Sequence, residues 1–595
     1  MKAIQYVGLG LFIAGLLIFT AMLGIGHQQL NEDTLQIDSK YHKTAILKAA
    51  NDMGILNQEM SSVTFIPKVS KVLKAAAQDL NTQAEAGLPE GVGEWDFKLG
   101  DWKIKEYTSA MVKSTAKGPV QNNPWLFFLL TFGLAILGGL LFILPKFTEP
   151  AGIKNNGIYH DPLTRGLKFN FKMLFLVPTM LGVLLYGFYY MGSLFWPLVS
   201  LGIAGLISYL VFFRNHSRDN NPQRHSSPVA TGWLGVIAGT YLIGFYILLY
   251  WSPAYINNWI TMVSPISEKL SGNPASQWFL YGLMYCIIVI VMGVRMMSKY
   301  QHNKYQRIRT MSVMFFQTAI AFLLPEILVR LNQPYYDFKN IWPLNYSFFF
   351  KYNIDNLISS GGLGIFMLVW GIILIIIGVP LITYFFGKRW YCSWVCGCGG
   401  LAETMGDPFR QLSDKSMRAW KYERYIIHGV LVAAVVMTVM VLIHFFTGKT
   451  SLLGFNVDGI KKWYGFLIGA GFSGVVGTGF YPLMGNRTWC RFGCPLAAYL
   501  GLVQKYKSRF RITTNGGQCI SCGNCSTYCE MGIDVRSYAQ KGQDIVRSSC
   551  VGCGVCSAVC PRGVLRLENA SGDISTRTED LRTVHITADE VTFLS

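Results

Sequence analysis

The sequence predicts a mainly α-helical, polytopic membrane protein of about ten spans, with a small extracytoplasmic domain and a cysteine-rich α+β domain near its C-terminus. Two observations lead to this fold class. Half of the 595 residues are hydrophobic and only 14% are charged, and the chain contains many apolar runs of about 20 residues, the length that spans a bilayer. In addition, ten of the 14 cysteines lie between positions 490 and 560.

The first apolar run, from Tyr6 to Gly26, predicts a membrane anchor at residues 1–26. Lys2 precedes this run, as a basic residue precedes the apolar region of a signal peptide. However, the run is long and lacks a clear small-residue cleavage motif, which favours an anchor that is not removed.

Residues 27–123 are the only sizeable polar segment outside the C-terminal region, and they predict a small separate domain. Helical periodicity extends over 45–60 and 66–85, whereas 95–107 has a more strand-like pattern. Because the segment contains no cysteine, we expect it to hold neither an iron–sulfur cluster nor a C-x-x-C-H haem attachment site.

Nine further spans belong to a polytopic membrane domain at residues 124–486. They are predicted at 125–144, 173–191, 193–213, 232–251, 278–294, 311–329, 361–386, 425–446 and 464–484.

Lysine and arginine are concentrated in alternate loops between these spans. The loops at 214–231 and 295–310 are rich in basic residues, whereas those at 252–277 and 330–360 have fewer. By the positive-inside rule, this pattern places both termini in the cytoplasm and residues 27–123 outside. The sequence thus predicts a multi-pass protein of the bacterial cytoplasmic (inner) membrane. The same topology explains the net charge of +19, so nucleic-acid binding is not expected.

Residues 516–566 contain two cysteine runs with the spacing C-x2-C-x2-C-x3-C. Three thiolates of such a run can bind one iron–sulfur cube while the fourth reaches the other cube. Pro561 follows the second run, as this pattern expects, whereas Glu530 follows the first. We predict a ferredoxin domain with two [4Fe-4S] clusters rather than zinc or disulfides. The first cluster takes Cys519, Cys522, Cys525 and Cys560, and the second takes Cys550, Cys553, Cys556 and Cys529.

An internal repeat ends two of the predicted spans. GKRWYCSWVCG, which starts at Gly387, aligns without a gap with GNRTWCRFGCP, which starts at Gly485. Because both spans run from outside to inside, the repeat is parallel, and its two-fold axis would bring the two C-x3-C pairs together. The second motif and a basic linker occupy 487–515, and a polar tail occupies 567–595. The paired cysteines are Cys392, Cys396, Cys490 and Cys494, and the basic residues of the linker include Lys505, Lys507, Arg509 and Arg511.

Four thiolates at the membrane surface predict a metal site. A third iron–sulfur cluster is the leading interpretation, followed by another thiolate metal site and then by a redox disulfide. Cys398 has no counterpart in the repeat, so it is either an alternative ligand to Cys396 or a spare redox thiol. The structural alternative is two ordinary helix ends with buried cysteines. The gap-free repeat argues against that alternative.

The C-x3-C and C-x3-CP motifs at the ends of two spans, the basic stretch and the twin ferredoxin runs resemble the membrane polyferredoxins of the NapH/NosR type. The resemblance covers residues 360–566 and implies membrane-bound electron transfer with a cytoplasmic ferredoxin part. Such proteins are associated with quinol dehydrogenation for periplasmic nitrate reduction and with electron supply to nitrous oxide reductase. The first motif lacks the family's proline after its second cysteine.

Two other cofactors of respiratory proteins are not expected. The segment at 27–123 is too short for the flavin domain of larger relatives and has no S-G-A-T signature, which argues against covalent FMN. His428 and His444 are about 24 Å apart along a helix, too far to share one haem iron. His444 paired with His27 is the remaining haem arrangement, and a simpler hydrogen-bonding role is expected for both.

The leading functional interpretation is an iron–sulfur relay between a cytoplasmic donor or partner protein and a quinone or a membrane or periplasmic respiratory partner. Such a chain would be an electron-transfer subunit of an oxidoreductase system, for example a quinol dehydrogenase. All predicted clusters lie on one side of a hydrocarbon layer about 30 Å thick, so the connection to the outside needs a quinone, another cofactor or a partner. The alternatives are an accessory factor for metallocentre reduction or assembly and a redox-sensing regulator. No residue is predicted to be an acid–base catalyst.

We expect anaerobically purified protein to contain about twelve irons per chain, because three four-iron clusters require that number. Iron and acid-labile sulfide analysis, with EPR after reduction, measures it. A content of about eight would account for the two ferredoxin clusters alone and would leave the paired C-x3-C motifs to another metal, a thiol function or structure.

Overall fold

The computed structural model describes residues 2–148, 232–569, 583–586 and 591–594, with gaps at 36, 38, 88–92, 94–96 and 453. The chain divides into two compact units. The first unit comprises Met1–Glu149, Gly244–Ile287 and Glu326–Leu331, and the second comprises Pro150–Ile243, Ile288–Pro325 and Asn332–Ser595.

The described part of the chain is mainly helical, and six of its helices are long and apolar enough to cross a membrane. A helix pair bent by 107°, Ile237–Trp251 with Pro253–Leu270, makes up to seven. The spans predicted at 173–191 and 193–213 lie outside the described residues. The six helices are Ala3–Ala21, Pro124–Thr148, Gln277–Lys299, Lys304–Arg330, Gly362–Phe386 and Met417–Thr447.

The tenth predicted span, 464–484, belongs to a helical stretch that runs from Val457 to Gly479 and is π-helical over Gly465–Val476. The stretch is interrupted at Phe480 and followed by the short helix Tyr481–Met484. Glycine is a poor helix former, but it allows close packing. A Cβ atom at Gly469 would lie 2.9 Å from the ring of Tyr346, so glycine permits this close approach.

In the first unit, the described part of the polar segment 27–123 forms three helices of 13 residues or more beside a small antiparallel sheet. The helices bury Ile46, Phe65, Val69 and Val112 in one apolar core. The helices are Lys40–Asp52, Ser62–Ala86 and Asp101–Thr115, and the strands, in sheet order, are Glu59–Met60, His27–Gln29 and Ala116–Lys117.

The strand predicted at 95–107 is wrong for the described residues, because 97–100 form no strand and a helix begins at Asp101. Alternation holds only as far as Phe97 and Leu99, which are both buried. Beyond them the apolar contacts recur at helical spacing, with Ile104 partly buried and Met111 and Val112 fully buried. A short period-two pattern next to a helix start thus resembled a strand.

The second unit contains the ferredoxin part, which has a two-stranded antiparallel sheet and three short helices. Arg511–Thr514 pairs with Leu565–Glu568, with Arg511 opposite Glu568 and Thr514 opposite Leu565. The helices are Asn524–Thr527, Val535–Gln540 and Val555–Ala558. The elements that precede them near the cysteine motifs are Arg389–Cys392, Gly397–Thr404, Asp407–Leu412, Trp489–Gly493 and Pro495–Lys507.

We expect Gly138→Leu to destabilise the first unit by about 1–3 kcal/mol, the usual effect of overpacking a tight contact. The helix Lys2–Ala21 crosses Leu134–Ile143 so closely that a Cβ atom at Gly138 would lie 2.5 Å from the carbonyl oxygen of Gly8. Thermal unfolding in detergent measures the effect. Gly10→Leu is the matched control, because no atom lies within 4 Å of that Cβ position, and an equal loss in both variants would contradict the prediction.

Candidate iron–sulfur sites

The two C-x3-C motifs share three backbone features, although the first forms a short α-helix, Arg389–Cys392, and the second a π-helical turn, Trp489–Gly493. Each begins with a glycine of positive φ, +64° at Gly387 and +90° at Gly485, which follows the last residue of a helix. Glycine adopts this conformation without a steric penalty. Cys396 and Cys494 then each donate their backbone N–H to the carbonyl five residues earlier, at 2.8 and 2.9 Å, and each is the N-cap of the next helix. The sequence repeat is therefore also a structural repeat.

The four cysteines of the repeat lie together. Cys392, Cys396, Cys490 and Cys494 are all buried in the same apolar core. Burial raises the pKa of the Cys494 thiol well above its usual value, and the neighbouring thiols of the other three cysteines raise it further. A bound metal would favour the thiolate form that this environment disfavours. The four thiols are therefore suited to act as ligands of an iron–sulfur cluster.

Cys398, the cysteine without a counterpart, belongs to the same group. Its side chain forms a hydrogen bond with Cys396, which lowers the pKa of Cys396 to about 6. Cys490 and Cys494 are close enough to raise the pKa of Cys398. Five thiols thus lie at this position, and whether Cys398 is a ligand or a spare thiol stays a prediction.

The cysteines of the two ferredoxin runs are arranged as the crossed pattern requires. One cavity is lined by Cys519, Cys522 and Cys525 of the first run and by Cys560 of the second. Around Cys556, the thiols close enough to raise its pKa include those of Cys553, Cys550 and Cys529. The ligand assignment itself stays a prediction, and this placement fits it.

A left-handed glycine shapes both runs. Gly523 (φ +79°) and Gly554 (φ +72°) each precede the short helix that contains the third cysteine of its run.

Among the described residues, no group of three or more histidine, cysteine or acidic side chains is placed to hold a single metal ion. A four-iron cube instead distributes its four thiolates over four irons, so its ligands do not surround one ion.

The second cysteine run is attached to the membrane-proximal elements. Side chains from three separate segments donate hydrogen bonds to backbone carbonyls of its loop. These bonds are Ser393 Oγ to Val551 (2.7 Å), Gln504 Nε2 to Cys550 (2.8 Å), Gln306 Nε2 to Cys553 (2.7 Å) and Tyr305 Oη to Gly552 (2.9 Å). The loop that carries Cys550 and Cys553 is therefore held directly against the repeat.

Sequence reasoning missed a group of buried charges. Glu530 pairs with Arg410 and Arg487, each at 3.0 Å, and all three side chains are fully buried. Glu403 pairs with Arg309 and with Arg487. We call these five residues the buried charge network. Burial alone would raise the pKa of Glu530, but the adjacent arginines lower it to about 2.

One signal of this network was present in the sequence. Glu530 stands where the cysteine pattern expects proline. Arg309 belongs to the basic stretch 295–310, and the structure places it in the helix Lys304–Phe315. A charged residue directly beside a predicted cluster ligand indicates a buried partner, because an unpaired buried charge is very costly.

A small cavity, lined by both apolar and polar side chains, lies beside Cys490. Its lining includes Lys388, Glu423 and His428. Glu423 accepts a hydrogen bond from Arg491 Nε at 2.7 Å and another from the Ser549 hydroxyl. A carboxylate and an imidazole therefore lie next to one of the membrane-proximal cysteines.

Comparisons with known proteins support iron–sulfur binding in both regions. A family model described as a 4Fe-4S binding domain matches twice, at residues 368–416 and 464–513, and so covers both halves of the repeat. A model described as a 4Fe-4S dicluster domain matches residues 518–565. No solved structure matches.

The chain is also similar to YccM of Escherichia coli (strain K12), which is named as a candidate electron transport protein. The two are 26% identical over 163 residues, which cover 26% of this chain and 44% of the relative. The match therefore spans less than half of the relative's length.

We expect Cys553→Ala to lose the second ferredoxin cluster and to weaken the first, because crossed ligation makes the two runs one folding unit. Iron and labile sulfide should fall by more than the four irons of one cluster. Cys286→Ala, which changes a cysteine outside all the motifs, should retain the wild-type content. A wild-type iron content in Cys553→Ala would rule out the crossed assignment.

Proposed function

We propose that this membrane 4Fe-4S electron-transfer protein relays electrons between a cytoplasmic donor or partner protein and a quinone or respiratory partner in or beyond the membrane. The ferredoxin domain, residues 516–566, would bind two clusters and lie in the cytoplasm. The paired C-x3-C motifs would bind a third iron–sulfur centre at the membrane surface, and residues 27–123 would lie outside. When bound, such clusters supply one-electron transfer.

The observation that carries this proposal is the continuity of the cysteine sites. Membrane-proximal Cys490 and Cys494 share one buried core with Cys525, Cys550 and Cys556 of the ferredoxin runs. The hydrogen bonds to the 550–553 loop hold the second run against the repeat. This arrangement suits an electron relay, because the cysteines of the repeat and those of the ferredoxin runs pack in the same buried core.

The predicted first cluster is suited to exchange with a soluble partner. Three of its predicted ligands, Cys519, Cys522 and Cys560, are partly accessible, whereas Cys550 and Cys556 of the second cluster are buried. Ile520, between the first two cysteines, is 52% exposed. An exposed apolar residue beside a cofactor site is a natural contact for a partner protein.

We expect Cys490→Ala to abolish electron transfer from a quinol analogue to the ferredoxin domain while the two ferredoxin clusters remain. The alanine removes a predicted ligand of the membrane-proximal centre only. Anaerobic mixing of reconstituted protein with a reduced quinol analogue, followed by EPR of the ferredoxin signals, measures the transfer. Cys286→Ala is the control and should transfer electrons at the wild-type rate.

Three outcomes separate the proposed relay from the other roles. Unchanged transfer in Cys490→Ala would limit the repeat to a structural role. Intact respiratory flux with an immature partner enzyme in a deletion strain would favour an accessory factor for metallocentre assembly. A changed downstream response at unchanged flux would favour a redox-sensing regulator.

A further inference from the structure

We propose that the buried charge network sets the reduction potentials of the second-run centre and the membrane-proximal centre together, with Glu530 as its positioning residue. The second-run centre is the one expected at Cys529, Cys550, Cys553 and Cys556. The proposal rests on the proposed function only in taking both sites to bind iron–sulfur clusters. It requires no quinone, donor or partner.

The network contacts the membrane-proximal site through Arg487. Its Nη1 atom lies 3.6 Å from the Cys490 sulfur and donates a hydrogen bond to the backbone carbonyl of Cys392 at 3.1 Å. One guanidinium thus touches both halves of the repeat. Hydrogen bonds and positive charge at a ligating sulfur stabilise the reduced, more negative form of a cluster.

The same network contacts the second-run centre in two places. Glu530 directly follows Cys529, a predicted ligand of that centre. On the other side, Arg309 donates to the Gln306 side chain at 2.6 Å, and Gln306 donates to the backbone carbonyl of Cys553 at 2.7 Å. The network therefore runs without interruption from the membrane-proximal cysteines to two predicted ligands of the second-run centre, Cys529 and Cys553.

The network has more positive than negative charge. Arg309, Arg410 and Arg487 face Glu403 and Glu530. Arg410 also pairs with Asp407 at 3.3 Å, and Asp407 pairs in turn with Lys299 and Arg295. With these neighbours included, five positive charges face three negative ones. Within the part of the chain that the structure describes, Arg410 Nη2 and Arg487 Nε have no hydrogen-bond acceptor. Unsatisfied buried donors are costly, and an anionic cluster beside them would reduce that cost.

The burial of these charges makes their effect on the two centres strong. The side chains of the three arginines and Glu530 are at most 1% exposed, and that of Glu403 is 5% exposed. Interactions between charges are weakly screened in such surroundings. The network therefore couples the two centres electrostatically, because reduction of one adds negative charge beside arginines that also stabilise the other.

The test is a redox titration followed by EPR on the full chain, with wild type, Glu530→Gln, Arg410→Gln and the double variant. Loss of the Glu530 charge should raise the potentials of both centres, and loss of the Arg410 charge should lower that of the second-run centre. The double variant should return toward wild type. Glu530→Asp, which keeps the charge, should stay close to wild type.

The control is Glu568→Gln, which removes a carboxylate from the outer strand of the same domain, where it accepts a hydrogen bond from Thr513. It should leave both potentials unchanged. Absence of any shift in Glu530→Gln and Arg410→Gln, or a shift of the same sign in both, would overturn the proposal. If Glu530→Gln binds less iron than wild type, Glu403→Gln replaces it. Glu403 does not adjoin a cysteine, and an unshifted potential in that variant would equally overturn the proposal.

Discussion

The pairing of Glu530 with Arg410 and Arg487 is the interaction on which the second unit depends. Breaking a buried ion pair by removing one partner commonly costs about 3–5 kcal/mol, since the other charge stays buried and unpaired. Here the three partners come from distant parts of the sequence and meet between the repeat and the first cysteine run. The ferredoxin part is therefore fixed in place by charges that are stable only when all of them are present.

Neutral hydrogen bonds complete this attachment and determine how closely the second run approaches the repeat. The side-chain amide of Gln504 makes two such hydrogen bonds. It accepts one from the backbone N–H of Lys388 at 2.6 Å and donates one to the backbone carbonyl of Cys550 at 2.8 Å. One residue thus links the first C-x3-C motif to the second cysteine run. Buried polar networks of this kind favour a single arrangement when every member is satisfied.

Local rules in the sequence were sufficient to predict much of the site. Cysteine spacing grouped Cys560 with the first run, and the gap-free repeat predicted that Cys392 and Cys490 would lie together. Six predicted spans correspond to membrane-capable helices. These features depend on spacing or on continuous hydrophobicity, and both can be read directly along the chain.

The remainder could not be predicted because it depends on pairings between distant residues. Arg309 and Glu403 are 94 positions apart, and nothing in either local sequence indicates that they form an ion pair. The helix at Asp101–Thr115 was missed for a different reason, because a short alternating segment before it imitated a strand. The sequence shows that Glu530 replaces the expected proline, but it does not show that Arg410 and Arg487 are its ion-pair partners.

The order of these residues along the chain also has a consequence for biosynthesis. Arg309, Glu403, Arg410 and Arg487 are all translated before Glu530. Domains commonly form from the N-terminus during synthesis, so the ribosome releases the membrane part while Arg410 still lacks a carboxylate that it will need. Until the last segment emerges, Glu403 and Asp407 are the carboxylates that face these three arginines. Truncation before Glu530 would therefore leave a cluster of three arginines and two carboxylates, whose excess positive charge would need water around it.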